Sequence, residues 1–217
     1  MVDTARAPIS AARRDAPSPI GRPLVVDLDG SLVCTDTLFE CVLVLARRPL
    51  RLLVALSALR HGKARLKEAL AVAADLDAGL LPYNRELLAY LRAEQARGRL
   101  LVLATGADRK TAQAVAQHLD LFDRVLASDG RTNLTGRAKL AAIQGSVGGI
   151  PFSYVGNSRA DLAVWCEAAG AICVNTRPRV VRAAARTTVI ECSFAAETGW
   201  PAALWRAIQP RRYQPRR

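Results

Sequence analysis

The residues best placed to do chemistry are two aspartates two positions apart. Asp27-Leu28-Asp29-Gly30-Ser31 follows the apolar run Pro23-Leu24-Val25-Val26 directly. One carboxylate on such a turn can attack a phosphorus atom and form an aspartyl phosphate. The other can protonate the leaving oxygen and then activate water. A lone pair of this kind is also ordinary turn chemistry, because Asp and Gly suit turns for local reasons. Three further groups share its placement after apolar runs. Thr105-Gly106 closes the run Leu100–Ala104 ahead of a helix start, where a hydroxyl and free N–H groups can hold a phosphate. Lys139 stands early in a helix and can neutralise both nucleophile and phosphate. Asn157 and Asp161, in Gly156-Asn157-Ser158-Arg159-Ala160-Asp161, offer oxygen ligands for Mg²⁺ together with Asp27 and a backbone carbonyl. Each has a plain structural use as well, such as a turn, a solvated lysine or an acid at a helix start.

The elements that must position these groups alternate. Strands are expected at 23–28, 100–104, 124–127, 152–155 and 171–174, with a possible sixth at 188–190. Between the first two strands, apolar residues recur three and four apart over Leu38–Leu45, Leu50–Leu59, Leu66–Ala74 and Glu86–Arg97, which predicts helices. Later helices are expected from Asp108 to about His118, from Gly136 to about Gly145 and from about 160 to 169. Short apolar strands alternating with amphipathic helices predict an α/β fold, a Rossmann-like parallel sheet with helices on both faces. Ligands of such sheets lie beyond the carboxyl ends of the strands, where the candidate residues fall.

Taken in order, VVDLDGSL, LVLATG, the lysine of GRAKL and YVGNSRAD resemble the four signature motifs of the haloacid dehalogenase superfamily. The resemblance spans roughly Pro23 to Asn175. It implies Asp27 as nucleophile and Asp29 as general acid and base. It implies Thr105, Gly106 and Lys139 as phosphate contacts, and a Mg²⁺ site drawing on Asp27, Asp29, Asn157 and Asp161. It further implies a core at 23–36 and 99–195 and a helical cap at 37–98, of the kind that closes over a site and selects substrate. The activity implied is Mg²⁺-dependent hydrolysis of a small or lipid-linked phosphate monoester. One position departs from the pattern. The fourth motif usually begins Gly-Asp, and here Asn157 takes the place of that metal-ligating Asp, removing one negative charge. The runs LLPYNRELLAYL, LVLATGADR, VLASDGRTNLTGRAK and YVGNSRADLAVW are in addition similar to the domain that precedes UbiA-type prenyltransferases in some bacteria. That likeness implies a polyprenyl-linked substrate, or a catalytically weak regulatory module partnered with such a membrane enzyme.

Bulk properties narrow the alternatives. The chain has 217 residues, 51% hydrophobic but only 5% aromatic, enough for one domain with a small insert. Its net charge is +12, mostly from arginine, which suits phosphorylated substrates, anionic lipid or nucleic acid. No helix-turn-helix, zinc finger or RNA-binding signature supports nucleic acid. Five scattered cysteines with no C-x-x-C pair argue against a disulfide framework and fit a reducing cytosol. Two histidines leave little material for histidine metal sites or a Ser-His-Asp triad. Residues 1–22 read as a disordered basic arm without the apolar stretch of a secretory signal. Arg47, Arg48 and Arg51 interrupt the longest apolar run, so no membrane span is expected. The arginines around it, Arg47, Arg48, Arg51 and Arg60, read as a solvated face, or alternatively as one turned to an anionic substrate or a membrane. Residues 196–217 read as a helix and tail in which Arg206, Arg211, Arg212, Arg216 and Arg217 stand near Trp200, Trp205 and Tyr213, a composition suited equally to the inner face of a cell membrane and to a flexible, solvated basic tail.

Overall fold

The computed structural model describes residues 21–195. The expectations for the arm before Gly21 and for the tail after Ala195 lie outside the described residues. Six strands are present: β1 (Leu24–Val26), β2 (Leu101–Asp108), β3 (Arg124–Ser128), β4 (Ser153–Gly156), β5 (Gly170–Val174) and β6 (Val189–Phe194). They form one sheet in the order β3-β2-β1-β4-β5-β6, with every pairing parallel. The expected α/β Rossmann-like fold is therefore observed.

Alternation along the strands explains the two layers. Leu24 and Val26 of β1 join Leu101, Leu103 and Val155 in one core, while Val25 joins Val102, Ala104 and Tyr154 in the other. Successive side chains point to opposite faces, and both faces are covered, so the strands read as continuous apolar runs. The chain order reverses at β1, which is flanked by β2 and β4. A crevice at the carboxyl end of β1 is the binding position such topology offers.

Between β1 and β2 lie helices α1 (Thr37–Leu45), α2 (Pro49–Leu56), α3 (Lys63–Ala74) and α4 (Arg85–Ala96). Asp36 caps α1 by accepting from the N–H groups of Leu38 and Phe39. Pro49 opens α2, where its missing N–H costs nothing. Packing divides this stretch differently from the expected cap at 37–98. Cys41, Leu45, Ala55, Leu70 and Ala74 of α1–α3 form their own small core. Leu87 and Leu91 of α4 instead pack with β1 and β2. The helix was expected in the insert because its periodicity is local, and periodicity does not say which core an apolar face meets.

The remaining helices are α5 (Arg109–Leu119), α6 (Gly136–Val147), α7 (Leu162–Trp165) and α8 (Pro178–Ala184). Three local features differ from expectation. Thr105-Gly106 does not end β2, which continues to Asp108 through a register shift against β3. The helix expected at 160–169 is a 3-10 turn at Arg159–Asp161 followed by one α-helical turn. The helix α8, opened by Pro178, was not expected. No helix among the described residues is long and apolar enough to cross a membrane.

Candidate active site

Asp27 leaves β1 at its carboxyl end, anchored by its own N–H donating to the Val155 carbonyl of β4. The chain then folds back tightly, with Ser31 N–H and Val33 N–H both donating to the Leu28 carbonyl. Gly30 is required twice over in this turn. Its φ is +75°, and a Cβ there would lie 2.0 Å from Asn157 Nδ2. The side chain of Asn157, from the loop after β4, is therefore seated on the backbone of the β1 loop.

The buried side chain of Asp27 meets one cation. Lys139 Nζ, from α6, donates to Asp27 Oδ1 at 2.7 Å. The same ammonium donates to the Tyr154 hydroxyl at 3.2 Å. That hydroxyl donates to Asp161 Oδ1 at 2.8 Å. Ser31 Oγ approaches the other oxygen of Asp27 at 3.5 Å. A buried chain of hydrogen bonds thus runs Asp27–Lys139–Tyr154–Asp161, from the end of β1 through α6 and β4 to the 3-10 turn at Arg159–Asp161. The second oxygen of Asp161 accepts from Asn157 N–H, Ser158 N–H and Ser158 Oγ. Asp161 therefore closes the loop after β4 as a capping-box acid.

The charge balance at this site is uneven. Asp27, Asp29 and Asp161 surround a single buried ammonium. Burial first, with Asp161 and Asp29 adding to it, pushes the Asp27 carboxyl up to about 7 in spite of Lys139. Lys139 moves up from its usual value, because the attraction of Asp27 and Asp161 outweighs its own burial. The two shifts agree physically, since one cation faces more than one anion. Burial likewise raises Asp29, whose Oδ1 accepts from Thr37 N–H at 2.8 Å.

Thr105 is fully buried and its Oγ1 accepts from Ala107 N–H at 2.9 Å, which shapes the irregular end of β2. The Gly106 carbonyl takes two donors, Ser128 Oγ and Lys67 Nζ. Lys67 comes from α3 and also donates to Asn133 Oδ1 at 2.9 Å. With Asp29, Asp36, Thr37, Cys41, Asp108 and Thr111 it lines a cavity of about 60 Å³ beside the β1 loop. Burial lowers the Lys67 ammonium, and it pushes the Cys41 thiol up to about 12, so that thiol stays protonated.

The sequence-predicted residues thus fall into two groups. Asp27, Lys139 and Asp161 share one network, and Asn157 abuts the loop that carries Asp27. The Asp29 carboxylate is directed at the start of α1, and Thr105 is tied to its own loop. Sequence reasoning missed Tyr154 and Lys67. Tyr154 carried a faint signal, as a phenol in a short buried strand just before Gly156-Asn157. Lys67 carried none, because its contacts lie 39 and 66 positions away.

The oxygen-rich, anionic lining suits a hard divalent cation. Asp27 and the amide oxygen of Asn157 fit as ligands. Asp161 has its oxygens occupied by four donors, so it fits as a support for the loop that presents Asn157. Among the described residues no three His, Cys, Asp or Glu side chains converge into a ready-made metal cage.

Comparison with known proteins gives this arrangement its context. A 155-residue stretch is 37% identical to uncharacterized protein y4nM of Sinorhizobium fredii, covering 70% of this chain and 30% of that protein. The chain therefore spans under a third of that relative's length. In fold it is similar to a protein of unknown function from Bordetella pertussis Tohama I, with a TM-score of 0.60 and 17% identity over 78% of this chain and 97% of the other. A HAD family hydrolase from Salmonella enterica serovar Typhi gives 0.55 and 14% over 82% and 69%. A substrate-bound phosphoserine phosphatase gives 0.54 and 15% over 78% and 93%. At these identities the likeness concerns the fold. The family model for haloacid dehalogenase-like hydrolase matches residues 24–164, which include Asp27, Lys139 and Asp161. With that match added to the parallel sheet and to the acid–lysine pair at the end of β1, the chain belongs to the haloacid dehalogenase-like hydrolase family.

Proposed function

We propose that the chain is a Mg²⁺-dependent phosphohydrolase acting on a phosphate monoester, either small or polyprenyl-linked. The observation that carries this reading is the buried Asp27–Lys139 pair, 2.7 Å apart, at the carboxyl end of the central strand, with a second acid two residues on. Asp27 Oδ attacks phosphorus and the ester oxygen leaves as the alcohol. Asp29, raised by burial, holds the proton that this leaving oxygen takes. In the second step Asp29 accepts a proton from water as the water oxygen attacks the aspartyl phosphate. Phosphate departs and Asp27 is restored. Lys139 lies against Asp27 and offsets the charge of the incoming phosphoryl oxygens. Tyr154 and Asp161 hold the ammonium in place. Thr105 would act by shaping the loop that receives the phosphate, through its bond to Ala107 N–H, with Gly106 in that loop. Asp27 and Asn157 would hold the Mg²⁺, which would supply further positive charge to the phosphoryl oxygens. The cap, α1–α3, would cover the site and exclude water.

A second reading rests on Asn157 and on the occupied oxygens of Asp161. A neutral ligand in place of a carboxylate weakens metal binding, and a weak metal site suits a regulatory module paired with a UbiA-type membrane prenyltransferase. One experiment separates the two. Hydrolysis of an aryl phosphate is measured with and without Mg²⁺ for the wild type, Asp27→Asn and Asn157→Asp. The phosphatase reading expects Mg²⁺-dependent turnover that falls about 10³-fold or more in Asp27→Asn. Equal turnover in that variant excludes Asp27 as nucleophile. A folded wild type without turnover that gains it in Asn157→Asp supports the regulatory reading.

A further inference from the structure

The helix α2 is inverted. Leu50, Leu53 and Val54, spaced three and four apart, form a stripe that is 78%, 64% and 74% exposed, while Ala55 faces inward. Leu59 in the following 3-10 turn and Val72 on α3 are exposed as well. Leu50, Val54 and Val72 line an open groove of about 890 Å³ between α2 and α3. A surface helix ordinarily turns such a stripe toward a core. A contiguous exposed apolar patch rimmed by charge marks an interaction surface.

The charges around the patch are mainly positive. Between Glu40 and Glu68 the chain holds seven Lys and Arg and no acid. Arg48, Arg51 and Arg60 are exposed beside the stripe. Glu68, the acid in the groove lining, is paired with Arg65 at 3.0 Å. The chain's own ends do not complement this face. Residues 196–217 carry five Arg against one acid, and residues 1–20 carry three Arg against two Asp. A second copy would bring the same positive face. The protruding groups are aliphatic and offer no directional hydrogen bonding, which suits a fluid partner over a folded one. Aliphatic side chains flanked by arginines are the pattern of a helix lying in a lipid interface.

We propose that the α2–α3 face of the cap docks on an anionic lipid bilayer. Leu50, Leu53, Val54 and Leu59 enter the acyl boundary, and Arg48, Arg51 and Arg60 meet the headgroups. Helix α3, which edges this face, also carries Lys67, whose ammonium bonds the Gly106 carbonyl of the core. The inference does not depend on the phosphatase reading, because binding is measured without turnover.

The test is sedimentation of the full chain with vesicles of phosphatidylcholine alone and of equal parts phosphatidylcholine and phosphatidylglycerol. The wild type is expected on the anionic vesicles, with binding that weakens as salt rises from about 0.05 M to about 0.5 M. The double variant Leu53→Glu/Val54→Glu should bind about tenfold or more weakly. Both positions are largely exposed, so its melting temperature should stay near that of the wild type. Arg48→Gln/Arg51→Gln/Arg60→Gln should weaken binding to anionic vesicles in the same direction. Equal binding by the wild type and the Leu53/Val54 variant would assign the affinity to another basic segment and overturn the proposal. Absence of wild-type binding, or equal binding to both vesicle types, would overturn it as well.

Discussion

Asp27 has a conflict built into it. Its carboxylate is buried, and the single cation within reach is shared among several acids. Burial is the largest influence on it and pushes it from 3.8 up to about 7. The consequence for stability has a definite sign. A folded chain that holds this proton up to about pH 7, while the unfolded chain loses it near pH 4, is favoured at low pH. That contribution is fully present below about 3.8 and is lost as pH rises through about 7. The metal-free protein should therefore lose stability between about pH 4 and about pH 7, with little further change above that. Asp27→Asn, which cannot ionise, should show a flatter profile over the same range. Melting temperatures in a chelator check this, and parallel profiles for the two proteins would exclude the buried ionisation. Added Mg²⁺ should flatten the wild-type profile too, since a cation beside Asp27 favours its charged form. Asp27, Lys139 and Asp161 were legible in the sequence because their residue types and positions after strands are local facts. The hydroxyl that joins them was not, because only the pairing of β1 with β4 brings Tyr154 beside Asp27.

Elements show where local pattern suffices. The strands were readable because burial on both faces leaves continuous apolar runs, and Gly, Asp and Asn bound them. Helix starts were readable where a side-chain cap exists, as at Asp108, whose Oδ1 accepts from Lys110 N–H at 2.9 Å. The division of the 37–98 stretch was not, because α4 differs from its neighbours only in the core it meets. Asn84 opens α4 and shows how it is attached. Its side chain is fully buried, and Oδ1 accepts from Leu87 N–H at 3.0 Å. Its own N–H donates to the Leu32 carbonyl of the β1 loop. Nδ2, however, is buried with no partner. Asn84→Ala should destabilise by about 1 kcal/mol through loss of the cap. Asn84→Ser should recover most of that loss, because it keeps a capping oxygen and removes the unpartnered donor. Thermal unfolding of the two variants decides it. A serine variant no more stable than the alanine variant would mean that the volume of Asn84, and not its cap, supports the helix.

At the scale of the whole molecule, a small helical cap packs on a sheet with a core on each face. The sheet and its flanking helices, α4 included, form the larger body, and α1–α3 enclose the smaller one. The Rossmann-like body could be read from alternation and motif order. One contact that fastens the cap to it could not, since Lys67 has no local signature and reaches Gly106 and Asn133 through the fold alone. Its ammonium donates at 2.6 Å to the Gly106 carbonyl and at 2.9 Å to Asn133 Oδ1. It is partly buried, so the bonds are shielded from water, yet burial also lowers its hold on the proton. Such charged hydrogen bonds contribute more than neutral ones but are discounted by the remaining exposure. Lys67→Met keeps the length of the side chain and removes both bonds. It should cost about 1 to 2 kcal/mol of the closed arrangement, which is a factor of about 5 to 30 in the fraction of molecules with the cap open. Hydrogen exchange should then quicken across α1–α3 while β1, β2 and β4 keep their protection. If the cap serves to exclude water, the same variant should lower kcat for phosphate monoesters. Uniform quickening throughout the sheet would instead show that cap and core unfold as one body, and that Lys67 supports global stability rather than closure.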